Sequence, residues 1–537
     1  MKRTARWWSA LAVSAAVLGG SLAARAEPIV KAIPAIPQQL DHQTRFEGNH
    51  QSFVINELAS TLLQSDVSVL KDAGCGQLPD VQKNLRPNLA ESWSMTPDGK
   101  AIEFRLRRGV MSPYGNEMTA EDVKWSIDRG LKQASVVRFL AFNVNSFEED
   151  PVEIVDPYTV RIRIKEPTIF DFVVFQWTQF QIYDSTEVLK HATADDPLAT
   201  GWLAKNSADF GPWKLTTENF EPGTRVTMVP NENYWDAANR GNADSFVILA
   251  IPDSATRSQL LRSGEIDFAG LLTYEEYADL RGGDVVDIAY CLNPVRDSLL
   301  LNYSDEHLAN PKVRQAISMA IDRQAIVDSV FKGFARPAAT GIHSAYGIDG
   351  LNQYIRYDVE QAKALMKEAG YENGFSMKLT ISPAPIPHVE AEAVFIVDML
   401  RQIGINVELE VVASGTTFQE RFFKGEYQSM IYLELPAFPD PFYSLNMLSH
   451  GKSFQNSFKY RNERYDELVT EGLHLPTENT ARRSEMLTEL MNIMAENPPQ
   501  IYLIDGGIPQ ARSKSVSGWE IQLHSAGNIS ASRLTKQ

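Results

Sequence analysis

The residue types that carry covalent chemistry are present in this sequence, but their spacing does not match known catalytic motifs. The nine histidines form no H-E-x-x-H pair, and no glycine-rich run matches G-x-x-x-x-G-K-[ST] or G-x-G-x-x-G. The G-x-S-x-G elbow of the α/β-hydrolases is missing from the sequence as well. These absences disfavour nucleotide binding and hydrolysis, and we expect no cofactor. The sequence therefore favours a protein that binds a ligand without transforming it.

Acidic and aromatic side chains are concentrated in a proline-rich segment, ELPAFPDPFYSLNMLS, over residues 434–449. Phe442 and Tyr443 offer flat apolar surface suited to a small bound molecule, although packing of a loop explains them equally well. Glu434 and Asp440 are the carboxylates of the segment. We predict a loop here, and we expect these four residues to contact a ligand.

Two further segments supply candidates for a cleft. His343 and Tyr346 lie in the run TGIHSAYG, and His450 follows the proline-rich segment. Because imidazole is a common metal ligand, a chelated metal ion stays open as part of the bound solute. The aromatic run Phe170–Phe180 predicts a core helix, and Trp177 within it is a candidate for the cleft wall.

A polar run, residues 41–49, follows the first predicted strand. In open α/β sheets, ligands bind beyond the carboxyl ends of the strands. Arg45, Phe46 and Asn49 are therefore candidate ligand-binding residues, although a solvated surface loop explains each of them as well.

The local structure of the scaffold is predicted most clearly between Leu85 and Leu131. Residues 96–99 (Thr-Pro-Asp-Gly) suit a type I turn, and residues 102–106 alternate between apolar and charged, as a half-buried strand does. Thr119 precedes Asp122 by three residues, which predicts a capping box at a helix start. This stretch therefore predicts two strands, a loop and a helix.

Helices and strands alternate from residue 357 to residue 432. The predicted strands are 375–381, 405–411 and 428–433, with predicted helices between them. Alternation of this kind indicates parallel strands with helices on both faces. Helices near 464–472 and 480–495 and a strand near 499–503 are predicted to follow.

Composition and the first residues restrict the class of protein. The formal net charge of −17 argues against binding of nucleic acid or of an anionic membrane surface. Residues 1–26 have a basic start, an apolar run and the sequence Ala24-Arg25-Ala26, which predict a cleavable secretory signal peptide. No cysteine lies near the predicted cleavage site, so we expect a free periplasmic protein without a lipid anchor. Cys75 and Cys291 are the two cysteines, and the sequence leaves their pairing open.

Three separated runs resemble one protein family in the same order: residues 85–131, 210–236 and 298–340. The second run combines Gly-Pro, two strands around a turn, and an Asn-x-x-Tyr-Trp ending, with Trp213 where the family usually carries tyrosine. Together the runs resemble the bacterial extracellular solute-binding proteins of family 5, which serve oligopeptide, dipeptide and nickel ABC importers.

This resemblance implies an α/β fold of the two-lobed periplasmic binding protein type (type II, cluster C-like), with an extra subdomain inserted in the first lobe. The first lobe is expected to be discontinuous, from residues 27–60, 190–295 and 505–537. The insertion is expected at 61–189 and the second lobe at 296–504. A monomer would capture a small-molecule or peptide ligand by hinge closure. It would then dock on the permease and ATPase complex of an ABC importer.

The resemblance also bears on the ligand. In peptide-binding members, an aspartate just ahead of an acidic-Pro pair holds the free α-amino group of the peptide. The pair here resembles Asp440-Pro441, but residues 435–439 contain no aspartate. Glu434 and Asp440 are the candidates to replace it, although neither matches the spacing. The missing aspartate therefore favours ligands without a free N-terminus as alternatives to a plain peptide. These are a modified peptide, an opine-like conjugate, a sugar derivative or a metal chelate.

Two other classes of protein remain as alternatives. A secreted hydrolase using paired carboxylates would turn over peptides or glycosides, although its usual motifs are missing. A receptor or chaperone would bind peptides without transport. Neighbouring genes for permeases and an ATPase would argue against this last class.

Overall fold

The computed structural model describes residues 27–44, 49–66, 82–133, 135–143, 145–290, 295–338, 340–383, 386–435, 440–507, 509–518 and 531–537. The predictions for the signal peptide, Arg45, Phe46 and the pairing of Cys75 with Cys291 lie outside these residues. Asn49 begins a helix, but its side chain is also outside the description.

The first sheet has eight strands and contains the first described strand at its centre. Ile29–Ile33 pairs in parallel with both Phe246–Ala250 and Phe268–Ala269. The spatial order is Val286–Ala289, Gln510–Ser513, Phe268–Ala269, Ile29–Ile33, Phe246–Ala250, Arg225–Pro230 and Trp213–Lys214, with Phe220–Glu221 also paired to Arg225–Pro230.

The second sheet has six strands. Phe375–Ile381 runs parallel to Ile405–Val411 and to Ser429–Glu434, which confirms the parallel strands predicted from the alternation of helix and strand. Val295–Leu301 is antiparallel to both of its neighbours, so the whole sheet is mixed. The spatial order is Arg336–Pro337, Ile501–Gly506, Val295–Leu301, Ser429–Glu434, Phe375–Ile381 and Ile405–Val411.

The third sheet has four antiparallel strands and contains the hairpin predicted around residues 96–99. The backbone N–H of Gly99 donates to the Thr96 carbonyl at 2.9 Å, and Gly99 has a positive φ of 67°. The spatial order is Ala90–Met95, Ala101–Leu106, Thr159–Ile164 and Phe147–Asp156. Two-stranded pairs, Leu63–Ser65 with Leu85–Pro87 and Val516–Ser517 with Thr535–Lys536, complete the strands of the described residues.

Local capping signals locate many of the helix starts. Thr119 and Asp122 form the predicted capping box, and the side chains of Asn310, Asp322 and Asp358 accept a backbone N–H at their helix starts. The α-helices of the described residues are Asn49–Leu58, Ala120–Leu131, Val136–Asn143, Ser185–Leu189, Thr200–Leu203, Ser254–Ser263, Tyr274–Leu280, Pro311–Ala320, Arg323–Ser329, Val359–Glu368, Val389–Arg401, Gly415–Lys424, Pro441–Ser449, Glu463–His474 and Thr480–Glu496.

Two predictions of local structure are wrong. The loop predicted over 434–449 contains a helix, Pro441–Ser449, because Asp440 caps its first turn and Pro441 occupies its first position. The helix predicted over 170–180 is instead two short 3₁₀ segments, Val173–Gln176 and Thr178–Phe180. Most of its aromatic rings are nevertheless buried, as expected.

Two stretches of chain run side by side from the first sheet to the second. Val286–Ala289 is antiparallel to Gln510–Ser513 in the first sheet. Val295–Leu301 is antiparallel to Ile501–Gly506 in the second sheet. The chain therefore crosses between the sheets twice, in opposite directions and at one place.

The second sheet separates two apolar cores. Leu300 and Met430 belong to a core that extends into the third sheet, through Phe104 and Phe175. Leu299 belongs to the other core, beneath the helices of the second sheet. Within the described ranges, no helix is long and apolar enough to span a bilayer.

Candidate functional site

The candidate site lies on the face of the second sheet that is turned toward the third sheet. Side chains alternate along a strand, so Arg296 and Ser298 share the face of Leu300. Glu434 lies directly opposite Arg296 on the neighbouring strand. All three side chains are buried. The two strands thus bring charged and polar groups together in an otherwise apolar layer.

Arg296 and Asp505 form a buried ion pair at the centre of this face. The Arg296 guanidinium donates to Asp505 Oδ1 from Nε at 2.8 Å and from Nη2 at 2.5 Å. The other carboxylate oxygen of Asp505 accepts the backbone N–H of Ser344 at 2.7 Å. The two charges therefore neutralise each other inside the protein.

Glu434 is the last residue of strand Ser429–Glu434, and only 5 % of its surface is exposed. Its Oε1 accepts hydrogen bonds from Ser298 Oγ and from Gln500 Nε2, each at 2.5 Å. Burial raises the pKa of Glu434 to about 7, and the opposing effect of Arg296 is smaller. The Arg296 guanidinium hydrogen-bonds to Asp505 instead, so Glu434 has hydrogen-bond donors but no ion-pair partner among the described residues.

The contacts of His343 define its protonation state. Nδ1 accepts the backbone N–H of Ala345 at 3.0 Å. Nε2 lies 3.0 Å from the Val295 carbonyl oxygen, to which it can only donate. Burial lowers the pKa of His343 to about 4, so the ring is neutral and both nitrogens are engaged. A metal chelate would therefore have to displace one of these hydrogen bonds to reach His343.

Tyr346 connects His343 to the helix Pro441–Ser449. Its ring centroid lies 6.2 Å from that of His343, and its hydroxyl is 2.8 Å from Ser444 Oγ. Of the predicted site residues, the structure thus brings His343, Tyr346 and Glu434 together around the Arg296–Asp505 pair.

Asp440 is held by protein groups on both carboxylate oxygens. Oδ1 accepts the backbone N–H groups of Phe442 at 2.8 Å and Tyr443 at 3.2 Å. Oδ2 accepts from Arg483 at 2.6 Å. Burial raises the pKa of Asp440, and Arg483 opposes this shift. These contacts identify Asp440 as a helix cap and ion-pair partner, while its contact with a ligand stays a prediction.

Phe442 and Tyr443 are buried between neighbouring elements. The Arg483 guanidinium lies 4.6 Å from the centroid of the Phe442 ring. The Tyr443 ring packs edge-on against Phe170, with centroids 5.4 Å apart. Phe442 thus packs against Arg483 of a neighbouring helix. Tyr443 packs against the segment that follows strand Thr159–Ile164 of the third sheet.

Trp177 packs against the same apolar core and is partly buried. The turn that precedes Arg45 approaches this segment, because the His42 ring nitrogen Nε2 lies 2.9 Å from the Thr178 carbonyl oxygen. Gln43 donates to the Gln179 carbonyl at 3.1 Å. Contacts with a ligand at Trp177, Arg45, Phe46 and Asn49 remain predictions.

Four residues of this site were missed from the sequence: Arg296, Ser298, Gln500 and Asp505. Their signal is a charged or polar residue inside a strand that is otherwise apolar, as in VRDSLLL and QIYLIDGG. Such side chains require partners when buried, so the strands themselves indicated a polar site. The buried Oγ of Ser344 and Oε1 of Gln500 have no hydrogen-bond partner among the described residues.

Comparison with known proteins places this geometry in a family. The chain matches the model of the bacterial extracellular solute-binding proteins, family 5, over residues 84–456. The glutathione-binding protein GsiB of Escherichia coli (strain K12) is 27 % identical over 458 residues, which cover 82 % of this chain and 85 % of that protein.

Solved structures share the fold. A dipeptide-binding protein from Pseudoalteromonas sp. SM9913, in complex with Met-Leu, is similar with a TM-score of 0.80 and 21 % identity, over 95 % of this chain and 100 % of that one. The binding protein AgaA from A. tumefaciens R10, in complex with agropinic acid, has a TM-score of 0.77 and 22 % identity, over 95 % and 99 % of the two chains. The two-lobed fold expected from the sequence is thereby confirmed.

Proposed function

Because this chain belongs to the bacterial extracellular solute-binding proteins of family 5, we propose that it captures a peptide-like solute with a protonated amino group. The solute is held between the two lobes and passed to an ABC importer. Proteins of this family bind peptides or small molecules and deliver them to ABC transporters. The relatives are named as binding proteins, which supports a role without catalysis.

The observation that carries this proposal is the buried carboxyl group of Glu434. The charges of Arg296 and Asp505 cancel, as do those of Arg483 and Asp440, and His343 is neutral. Glu434 is the acid left without a cation among these groups. A buried carboxylate is stabilised by a charged, hydrogen-bonding partner. An ammonium group would supply that partner and would lower the raised pKa of Glu434.

The position of Glu434 also supports the proposal. It ends a strand and begins the proline-rich segment, six residues before Asp440, and it faces the core shared with the third sheet. A carboxylate placed there can perform the part that the family assigns to an aspartate closer to the acidic-Pro pair. The aspartate missing from residues 435–439 therefore does not require a ligand without a free amino group.

The lobes are proposed to divide the chain as the sequence indicated. Residues 27–60, 190–295 and 505–537 would form the first lobe, 61–189 the inserted subdomain and 296–504 the second lobe. Three separate sheets support this division. Contacts between Phe170 and Tyr443, and between the Ile169 N–H and the Leu473 carbonyl, would then link the inserted subdomain to the second lobe. We propose that the protein acts as a monomer in the periplasm.

Binding of matched ligands tests the amino-group proposal. Dipeptides, tripeptides and glutathione are compared with their N-acetylated forms by thermal shift and calorimetry. We expect a free peptide to raise the melting temperature, and N-acetylation to weaken binding by about 100-fold or more, because one partner of a buried charge pair is removed. An acetylated or opine ligand that binds as tightly as the free peptide would contradict the proposal.

Glu434→Gln provides the second arm of the test. The amide keeps the size of the side chain but removes its charge, so we expect affinity for the free peptide to fall to that of the acetylated one. Glu471→Gln is the control, because this carboxylate is exposed and pairs with Arg482 on the surface. Equal affinity of the Glu434→Gln variant and the wild type for the free peptide would place the amino group elsewhere.

A further inference from the structure

A second group of ionisable side chains lies on the opposite face of the second sheet, away from the candidate ligand site. It consists of Asp297, His388 and Glu392, here called the acid–histidine cluster. We propose that the acid–histidine cluster binds a divalent transition-metal ion such as Zn²⁺. This site is independent of the transported solute, because the sheet separates the two.

Two adjacent elements position the cluster. Asp297 lies between Arg296 and Ser298 on strand Val295–Leu301, and its side chain points to the opposite face by the alternation of a strand. His388 is the residue before helix Val389–Arg401, and Glu392 lies in the first turn of that helix. Residues four apart share a helix face, so His388 and Glu392 both reach toward the strand.

The ligand atoms of the cluster are close together. One nitrogen or oxygen from each residue lies within 4.8 Å of those of the other two. His388 Nε2 is 2.5 Å from Asp297 Oδ2. Small side-chain rotations would place all three atoms at the distance of about 2.0–2.2 Å that zinc requires.

Glu392 supplies an independent sign of a missing partner. Its side chain is fully buried, and both carboxylate oxygens lack a hydrogen-bond partner among the described residues. Oδ1 of Asp297 is also buried and lacks a hydrogen-bond partner among the described residues. With both acids ionised, three carboxylate oxygens therefore lie within the protein without donors, although a buried unsatisfied polar atom is costly.

Charge balance indicates what the missing partner is. Two carboxylates and one imidazole share the cluster, and Arg296 pairs with Asp505 on the other face of the sheet. Tyr274 and Phe331 cover His388, with ring centroids 5.2 Å and 4.8 Å from the imidazole. In this apolar surrounding, burial, the Asp297 charge and the hydrogen bond that a protonated Glu392 would donate to Asp297 raise the pKa of Glu392 well above its usual value. A divalent cation would neutralise both acids and engage their free oxygens.

The donor set selects the class of metal. Magnesium and calcium prefer sites made of oxygen atoms alone, whereas an imidazole with carboxylates suits zinc, nickel or cobalt. In the bound form His388 would be neutral and would coordinate through Nε2, so the hydrogen bond to Asp297 would be replaced by two bonds to the metal.

Metal content and spectroscopy test the proposal on the full chain. The chelator-treated protein is incubated with Zn²⁺, Co²⁺ or Mg²⁺, desalted and assayed by mass spectrometry of the metal. We expect one equivalent of Zn²⁺ or Co²⁺ to be retained, Mg²⁺ to be lost, and Zn²⁺ to raise the melting temperature. Bound Co²⁺ should show the visible absorption of a site with nitrogen and oxygen ligands. Failure of the wild type to retain Zn²⁺ or Co²⁺ would overturn the proposal.

Two variants separate this site from other metal-binding groups. Glu392→Gln should lower Zn²⁺ affinity about 100-fold or more, whereas Glu390→Gln should leave it unchanged, because Glu390 is exposed on the same helix turn. Circular dichroism establishes that both variants are folded. If Glu392→Gln binds Zn²⁺ as the wild type does, the site is elsewhere. If Glu392→Gln stabilises the metal-free protein while Zn²⁺ leaves the wild type unchanged, the acids share a proton and the proposal is wrong.

Discussion

At the scale of single residues, two buried groups of the candidate site make opposite contributions to the dependence of stability on pH. The folded-state pKa of Glu434 is raised from 4.5 to about 7. Stability associated with its protonated form is fully present below pH 4.5 and is lost as the pH rises to 7. The folded-state pKa of His343 is depressed from 6.5 to about 4. Its contribution is present above pH 6.5 and is lost as the pH falls to 4.

The raised pKa of Glu434 predicts how the stability of the Glu434→Gln variant changes with pH in the absence of ligand. A shift of this size corresponds to roughly 3 kcal/mol, so the variant should gain stability over the wild type as the pH rises from 4.5 to 7. Denaturant unfolding at pH 5 and pH 8 measures the difference between the two proteins. An identical pH profile for both proteins would show that Glu434 does not titrate in this range.

Asp440 is predicted to matter for stability whether or not it touches a ligand. Asp440→Ala leaves the guanidinium of Arg483 buried without its carboxylate and removes a helix cap, so the free energy of unfolding should fall by about 3–5 kcal/mol. Chemical denaturation of the ligand-free protein measures this loss.

The matched control for Asp440 is an ion pair on the surface. Glu471→Ala breaks the exposed pair with Arg482 and should change stability by less than about 1 kcal/mol. Equal effects of the two substitutions would show that burial of the Asp440–Arg483 pair contributes nothing.

Residues of the site were predictable from the sequence only in part. Glu434, His343 and Tyr346 were predicted as candidates from their sequence context, and the structure brings them close together. Their contact with a ligand stays a prediction. Arg296 and Asp505 were not recognised, since their pairing joins residues 209 positions apart. Arg314 shows the same limit: its guanidinium donates to the carbonyls of Leu308 and Ala309 nearby, but also to that of Pro498, 184 positions away.

At the scale of elements, the helices Pro441–Ser449 and Glu463–His474 depend on one close approach. A Cβ atom added to Gly472 would lie 2.1 Å from Cδ1 of Phe442, well inside contact distance. Glycine is therefore required at this position for steric reasons, and the approach lets Phe442 pack between Arg483 and the neighbouring helix.

Gly472→Ala should destabilise the protein by roughly 1–3 kcal/mol or more, because overpacking displaces Phe442. Gly201→Ala is the matched control: its Cβ would meet only Asp196 Oδ2, at an ordinary distance of 3.5 Å. Thermal unfolding of the two variants measures the contrast. A Gly472→Ala variant as stable as Gly201→Ala would mean that the two helices can separate without cost.

Element boundaries were predictable where one residue type has a local effect. Thr119 and Asp122 form a capping box where the sequence predicts it, because a side chain three residues away satisfies a free backbone N–H. The helix Pro441–Ser449 was missed, since the prolines at positions 436, 439 and 441 favoured an extended interpretation. The burial of Phe442 and Tyr443 that helps to hold this helix comes from distant parts of the chain.

At the scale of the whole molecule, each large sheet requires strands that are far apart in sequence. Gln510–Ser513 lies between Val286–Ala289 and Phe268–Ala269 in the first sheet. Ile501–Gly506 lies beside Val295–Leu301 in the second. Many of the separate helices and strands were predictable from the sequence, whereas the order of strands in each sheet was not, because it depends on pairing between distant parts of the chain.

Truncation tests this dependence. Removal of residues 501–537 should abolish the cooperative unfolding of both lobes, because each sheet loses an interior strand. Removal of residues 518–537 keeps both of these strands and should only lower the melting temperature. Calorimetry measures the unfolding transitions of the two truncated chains. A cooperative transition in the chain that lacks residues 501–537 would contradict the prediction.

The late position of these strands also affects how the protein is made. The first described strand, Ile29–Ile33, emerges from the ribosome more than 450 residues before Gln510–Ser513. Near the chain's end, the N–H of Ala531 donates to Glu57 at 2.6 Å, across 474 positions. Closing loops of this length is slow, and neither sheet is complete until these residues have been synthesised. The third sheet, built only from residues 90–164, can therefore form early in translation, whereas the two larger sheets can be completed only at its end.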